Sequence, residues 1–275
     1  MGIIRGAGLG LREPHIEEIL DHLPPVPWFE VLADNYLGIG GRPRDRLFEI
    51  RAHYPVVFHS VGMNLGSVDP LDEDYLDRLL ELRAELQPEW ISDHFCWTAA
   101  RGRHHHDLLP LPCTEEVIAH LCERVSRVQD RLGERMLLEN ASAYVAFRDS
   151  ECSEWEFVRE VAERADCFLL LDINNIYVNS YNFGFDPREY LEAIPRERVK
   201  QIHLAGFSDE RTHLIDTHGA DVSADVWRLY RDSVELLGAV PACVERDSNI
   251  PAFDVIFDEA RRAQQVMLEE TGGAS

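Results

Sequence analysis

The chain has 275 residues, 45% hydrophobic and 28% charged, a composition that sustains an ordinary soluble core. Its 27 Lys and Arg against 50 Asp and Glu give a formal charge of −23, a repulsive long-range field for a nucleic-acid duplex, so no nucleic-acid partner is expected. No run of about 18 apolar residues is present to span a membrane, and Met1-Gly2-Ile3-Ile4-Arg5 lacks the apolar stretch of a signal peptide, so a cytoplasmic location is expected.

Short runs rich in Val, Ile, Leu and Phe recur along the chain and predict strands. In order they are Gly6–Leu11, Trp28–Ala33, Pro55–His59, Glu89–His94, Arg135–Glu139, Phe168–Asp172, Val199–Leu204 and Pro241–Glu245. Amphipathic stretches at Leu71–Leu86, Thr114–Leu132, Ser153–Arg164 and Ser223–Leu237 predict helices between them. Ser153-Glu154-Trp155-Glu156 fits a capping box, and Asp186-Pro187 sets a proline at a first helical turn. Gly6-Ala7-Gly8-Leu9-Gly10 lacks the full phosphate-loop pattern and reads as a first strand with close backbone packing. The segment from Asp69 to Asp74 is expected to cap the helix that follows, and His104-His105-His106 to lie in a solvated loop or lid.

Strand–helix alternation implies parallel strands joined by helical crossovers. Eight units without a linker or composition break favour one closed (β/α)8 barrel, a TIM barrel spanning residues 1–275, over a doubly wound open sheet. Cys96, Cys113, Cys122, Cys152, Cys167 and Cys243 form no C-x-x-C pair and read as reduced, small hydrophobes.

Barrel chemistry sits at the C-terminal ends of the strands. Six consecutive predicted strands carry His59, His94, Glu139, Asp172, His203 and Glu245 at or near those ends, with Asn174 and Asn175 after the sixth and Asp216-Thr217-His218 in the loop after the seventh. Singly, each strand-end carboxylate reads as a helix cap and each histidine as a buried, satisfied one. Together they converge on one cavity, where unpaired carboxylates and imidazoles need cations to neutralise them. A donor set of imidazole and carboxylate without thiolate suits iron, manganese or zinc.

At these residues the chain resembles a known family. Phe58-His59-Ser60-Val61-Gly62-Met63-Asn64-Leu65-Gly66, Ser92-Asp93-His94-Phe95-Cys96-Trp97 and Asp107-Leu108-Leu109-Pro110-Leu111-Pro112 are similar to successive blocks of the DUF692 (UPF0276) family. Leu138-Glu139-Asn140, Leu171-Asp172-Ile173-Asn174-Asn175-Ile176-Tyr177-Val178, Ile202-His203-Leu204-Ala205-Gly206 and Ile215-Asp216-Thr217-His218-Gly219 continue the match in order. The resemblance implies a multinuclear non-heme iron-dependent oxidative enzyme of the kind that acts in methanobactin and related peptide biosynthesis. It implies two or three iron ions (Fe2+ and Fe3+), O2, a ribosomally made precursor peptide modified at cysteine, and a partner protein encoded nearby. By the family's likeness to xylose isomerase and endonuclease IV, His59 and His94 would hold one ion and Glu139 would bridge to a second. Asp172, His203 and Glu245 would complete that second site, and Asn175, Asp216 and His218 would form a third. Glu139, Asp172 and His203 are the expected catalytic core.

Two blocks depart from the family pattern: Leu204-Ala205-Gly206 is followed by Phe207, and Glu245 by Arg246-Asp247. Neither change removes a proposed ligand, and Phe207 and Arg246 are the expected substrate contacts. The competing readings on the same barrel are a metal-dependent phosphodiesterase, which the acidic charge disfavours, and a sugar isomerase, which wants a lysine or histidine beside its metals.

Overall fold

Each apolar run read as a strand forms one in the computed structural model, which describes residues 4–38 and 40–272. Met1–Ile3, part of the segment read as lacking a targeting signal, lies outside the described residues. The first strands are β1 (Ala7–Gly10), β2 (Phe29–Leu32), β3 (Val56–His59) and β4 (Ile91–His94). Two strands of a rim hairpin follow, β5 (Trp97–Ala100) and β6 (Arg103–Leu109). The barrel resumes with β7 (Leu137–Glu139), β8 (Phe168–Asp172) and β9 (Val199–Leu204). A second small hairpin, β10 (Ser208–Asp209) and β11 (Leu214–Ile215), precedes β12 (Ala242–Val244).

The strands β1, β2, β3, β4, β7, β8, β9 and β12 close into a parallel barrel, with β12 returning to pair with β1. The helices α1 (Ile16–His22), α2 (Arg42–His53), α3 (Glu73–Leu86) and α4 (Glu115–Leu132) cross between the earlier strands. The later crossovers use α5 (Glu154–Arg164), α6 (Ile173–Phe183), α7 (Pro187–Ala193), α8 (Ala224–Leu237) and α9 (Phe253–Glu270). The chain is therefore a (β/α)8 barrel.

Local chemistry explains the boundaries. Ser153 and Glu156 form the reciprocal capping box of α5, and Asp72, Thr114, Asp186 and Ser223 cap α3, α4, α7 and α8 through their side-chain oxygens. In α4 the 3.6-residue period puts Ile118, Leu121, Val125, Val128 and Leu132 on the buried face. Gly8 is required by contact: a Cβ there would lie 2.5 Å from the Trp28 ring, so β1 and Trp28 pack backbone against indole.

One segment departs from its sequence reading. His104–His106 lie in β6, the outer strand of the hairpin with β5, and not in an irregular loop. Trp97 and Ala99 alternate with Thr98 along β5, and Trp97 pairs with Leu109 of β6, a pairing that the triple histidine concealed. The hairpin still behaves as a rim element, since Asp107 and Leu108 line the cavity at the barrel mouth.

Candidate metal centre

The strands end in buried polar side chains. His59, His94, Glu139 and Asp172 are the last residues of β3, β4, β7 and β8, His203 is the penultimate residue of β9, and Glu245 directly follows β12. All six are buried, and they share with Asn175, Asp216 and His218 one end of the barrel, where a cavity of about 720 Å³ opens.

Three overlapping groups bring ligand atoms within 4.8 Å of one another: His59, His94 and Glu139; Glu139, Asp172 and His203; Asp172, His218 and Glu245. Glu139 belongs to the first two groups and Asp172 to the last two, so the groups form a chain rather than separate clusters. The His59 and His94 Nε2 atoms each lie 3.2 Å from Glu139 Oε2. His203 Nδ1 lies 3.2 Å from Glu139 Oε1 and 3.1 Å from Glu245 Oε2. His218 Nε2 stands 3.4 Å from Asp172 Oδ2 and 2.8 Å from Asp216 Oδ1. Two donors about 2.1 Å from one ion are separated by roughly 3.0–3.4 Å in octahedral or tetrahedral geometry, which is the spacing of all these pairs except the closer His218–Asp216 one.

Hydrogen bonding separates ligand capacity from structural use. Glu139 Oε2, Asp172 Oδ2, Asn175 Oδ1, His94 Nδ1 and His218 Nε2 are buried without a hydrogen-bond partner. Asp172 shows both behaviours: Oδ1 caps α6 by accepting from the Asn175 amide at 2.7 Å, while Oδ2 turns toward His218 and His203. Leaving so many buried acceptors unmet costs several kcal/mol in total by ordinary estimates, and bound cations would remove that cost.

Outer contacts fix the imidazoles. Ser92 Oγ donates to the Phe58 carbonyl at 3.2 Å and so accepts from His59 Nδ1 at 2.7 Å, leaving the His59 Nε2 lone pair facing Glu139. Glu30, from the middle of β2, lies 3.0 Å from His203 Nε2 and is also met by the Gln201 amide. His203 thereby donates outward from Nε2 and presents Nδ1 to the carboxylates. A further group of Glu30, His203 and Cys243 is less suited to an ion, because that hydrogen bond occupies Nε2 and burial pushes the Cys243 thiol well up. His218 holds a left-handed backbone with φ of 43°, a conformation that strains a non-glycine residue at a site that needs its ring.

Electrostatics point to the same requirement. Burial raises the Asp172 carboxyl to about 6 and Glu30 to about 7, against partial relief from His218 and His203. Burial opposes ionisation of Glu139 as well, but His203, His94 and His59 outweigh it and hold that carboxyl well below its ordinary value. His59 is pushed by burial down to about 3, which keeps it neutral and ligand-competent. Burial also disfavours the His94 cation, yet Glu139 and Asp93 lift it to about 10. A cation in place of those protons would hold both rings neutral and all the carboxylates ionised.

Sequence reasoning missed Glu30 and Arg12. A charged residue within Trp28-Phe29-Glu30-Val31-Leu32 was the available signal for the first. Arg12 lines the cavity, 3.5 Å from Glu245 and 2.5 Å from Asp247. The expected substrate contacts lie elsewhere: Phe207 stacks on Tyr177, and Arg246 is buried against Asp221 and Glu259, so neither lines the cavity. The side chain after Glu245 points outward because adjacent residues alternate faces.

The model of the family described as RiPP precursor modification enzyme MbnB/TglH/ChrH matches residues 6–268. The chain belongs to this family. It is 50% identical over 261 residues to a UPF0276 protein of Anaeromyxobacter sp., covering 95% of this chain and 92% of that one. A UPF0276 protein of Acaryochloris marina is 47% identical over 269 residues, covering 98% and 97%. Among solved structures, a D-tagatose 3-epimerase-like protein superposes with a TM-score of 0.63 at 14% identity, covering 98% of each chain, a likeness of fold alone. Membership in a family of precursor-modifying enzymes implies a peptide substrate, and the convergent buried carboxylates and imidazoles can hold metal ions.

Proposed function

We propose that the chain is a cytosolic enzyme that uses two or three iron ions and O2 to modify oxidatively a cysteine of a ribosomally made precursor peptide, presented with the help of a partner protein. The observation that carries this reading is the chain of three ligand groups sharing Glu139 and Asp172, which suits adjacent ions rather than one. Bound iron would supply capture of the substrate thiolate and reduction of O2, the oxidant for C–H cleavage at the cysteine β-carbon.

The residues divide that work. His59 and His94 would hold one ion, and Glu139 would serve both that ion and the next. Asp172 and His203 would hold the second. Asn175, Asp216 and His218 would hold the third, with Glu245 within reach of both His203 and His218 at 3.1 and 3.4 Å. Glu30 and Ser92 orient the rings, and the hairpin carrying Asp107 and Leu108 narrows the mouth and limits water.

Two other readings fare worse. Arg12 is the one Lys or Arg side chain lining the cavity among the described residues, and Asp247 and Glu245 engage it, so little remains to receive a phosphodiester. The chain's single lysine, Lys200, sits at the start of β9, away from the mouth and over the Phe168 ring, so a sugar isomerase would have to take its base from histidines that this reading assigns to the metals.

Elemental analysis of aerobically purified protein, with mass spectrometry of cysteine-containing precursor peptides incubated under O2, tests the proposal. Roughly two to three irons per chain and an O2-dependent mass change are expected, the count following from three or four protein ligands per ion. Stoichiometric zinc, with full activity after iron removal, overturns it.

A further inference from the structure

A second pocket, of about 290 Å³, lies beside the metal cavity, between α5, the end of α6 and the segment Asn140–Phe147 that follows β7. That segment is a partition one chain thick. Ser142 and Tyr144 line the metal cavity, whereas Ala141, Ala143 and Val145 line the second pocket. From Ala141 to Val145 successive side chains alternate between the two cavities.

The partition is held from both sides. Asn179 accepts from the Ala143 amide at 2.8 Å and donates to the Ala141 carbonyl at 3.2 Å. On the metal side, the Tyr144 hydroxyl accepts from the Asp216 amide at 2.9 Å. The pocket is predominantly apolar, with Phe95, Leu111, Phe157 and Phe185 among its walls, while Glu154, which also lines it, has its carboxylate taken up by Tyr190 and Asn179. Val145, Phe147 and Phe183 also line it and are 56%, 39% and 41% exposed, an amount of solvated apolar surface that marks a contact site when it is grouped.

At about 290 Å³ the pocket stands at the lower edge of the roughly 300–1,000 Å³ that ligand sites span, and a docked helix needs a groove with anchors over two turns. The pocket is large enough for one bulky apolar side chain. Family membership implies a peptide substrate, and on the reading proposed above that peptide reaches the adjacent cavity. In an extended peptide, side chains two residues apart point the same way at a spacing of about 6.6 Å, so two of them can enter neighbouring cavities.

We propose that this pocket is a second substrate subsite, which takes an aromatic or large aliphatic side chain two residues away from the residue presented to the metal centre. The proposal rests on the peptide-modifying reading and adds a specificity determinant to it.

The test uses the protein as purified with its metal, under argon, and four capped tripeptides: acetyl-Cys-Gly-Phe-amide, acetyl-Phe-Gly-Cys-amide, and the same two with Ser in place of Phe. In one of the two directions the Phe peptide binds about tenfold more tightly than its Ser counterpart, the gain expected from burying one aromatic ring. Ala146→Phe, at an exposed position lining the pocket, fills it and brings that ratio close to one while leaving the Ser peptides unchanged. Phe183→Ser, which removes an exposed wall, lowers the ratio without closing the pocket. Equal binding of Phe and Ser peptides in both directions overturns the subsite and leaves the face as a docking surface for a partner protein. A ratio that survives Ala146→Phe overturns its location. Acetyl-Ala-Gly-Phe-amide and its reverse separate the two levels: binding as tight as the Cys peptides contradicts cysteine as the metal-facing residue, yet leaves the apolar subsite standing.

Discussion

Glu30 and His203 meet at 3.0 Å across the barrel interior, although β1 and β12 separate their strands in the sheet. A contact of that kind depends on barrel closure, and it fixes which imidazole nitrogen faces the carboxylates. Glu30→Gln keeps an acceptor but removes the charge, and should weaken metal binding about tenfold. Glu30→Ala should weaken it toward 100-fold, the range found when outer partners of ligating histidines are lost. Competition against a chromophoric chelator reads both values, and wild-type affinity in both variants contradicts the positioning role.

Glu139 and Asn175 offer unequal ligands to the same cavity. Glu139 approaches His59 and His94 with one oxygen and His203 with the other, whereas Asn175 offers one neutral oxygen and spends its amide on the Asn140 carbonyl. Glu139→Ala should therefore lose metal from two positions and abolish activity. Asn175→Ala should retain most of the metal and part of the activity. Elemental analysis of the two variants decides, and equal metal content rules out Glu139 as the bridge.

The barrel was legible because a parallel strand covered on both faces is a short apolar run, and β3, β8 and β9 end within a residue of the positions read from sequence. The clustering of His59, His94, Glu139 and Asp172 was legible for a related reason: strand ends in a barrel share one mouth. What escaped depended on direction and closure. Arg246 was read as a rim cation by its place after Glu245, but neighbouring residues on an extended chain face opposite ways. Glu30 lies in mid-strand, where sequence gives no sign that it will meet a histidine three strands along the closed sheet. The β5–β6 hairpin was hidden by three histidines whose side chains are exposed and contribute little to pairing.

Glu154 opens α5 with its carboxylate turned inward, where Tyr190 and Asn179 donate to it at 3.1 and 2.9 Å. Burial raises this carboxyl from 4.5 to about 7, beyond what those hydrogen bonds restore. Between those values the unfolded chain gives up the proton more readily than the folded one, so this group's contribution to stability falls as pH rises from about 4.5 to about 7. Glu154→Gln removes that loss. It should be stabilised relative to the parent by about 1–3 kcal/mol at pH 8, with the gap shrinking toward pH 5. Urea unfolding at both pH values measures it, and a gap that does not change with pH contradicts a raised carboxyl.

Arg246 is 4% exposed at its side chain, with Nη2 2.9 Å from Asp221 and 3.1 Å from Glu259. Glu259 in turn accepts from the Val222 amide at 2.7 Å, so the guanidinium ties the loop before α8 to α9. The Arg246 carbonyl also accepts from Arg12 Nε at 2.7 Å, a contact that survives side-chain truncation. Arg246→Ala should leave a largely buried Glu259 carboxylate without its cation and cost about 2–4 kcal/mol of stability. Metal content and turnover per folded molecule should stay at parental levels, because the side chain does not line the cavity. Arg246→Met combined with Glu259→Gln should recover much of the loss, since it removes both charges and keeps the volume. Denaturant unfolding, metal analysis and peptide turnover measured on the same preparations separate the roles. Parental stability with reduced turnover would place Arg246 at the substrate after all, and loss of metal would show that it supports Glu245 through the backbone they share.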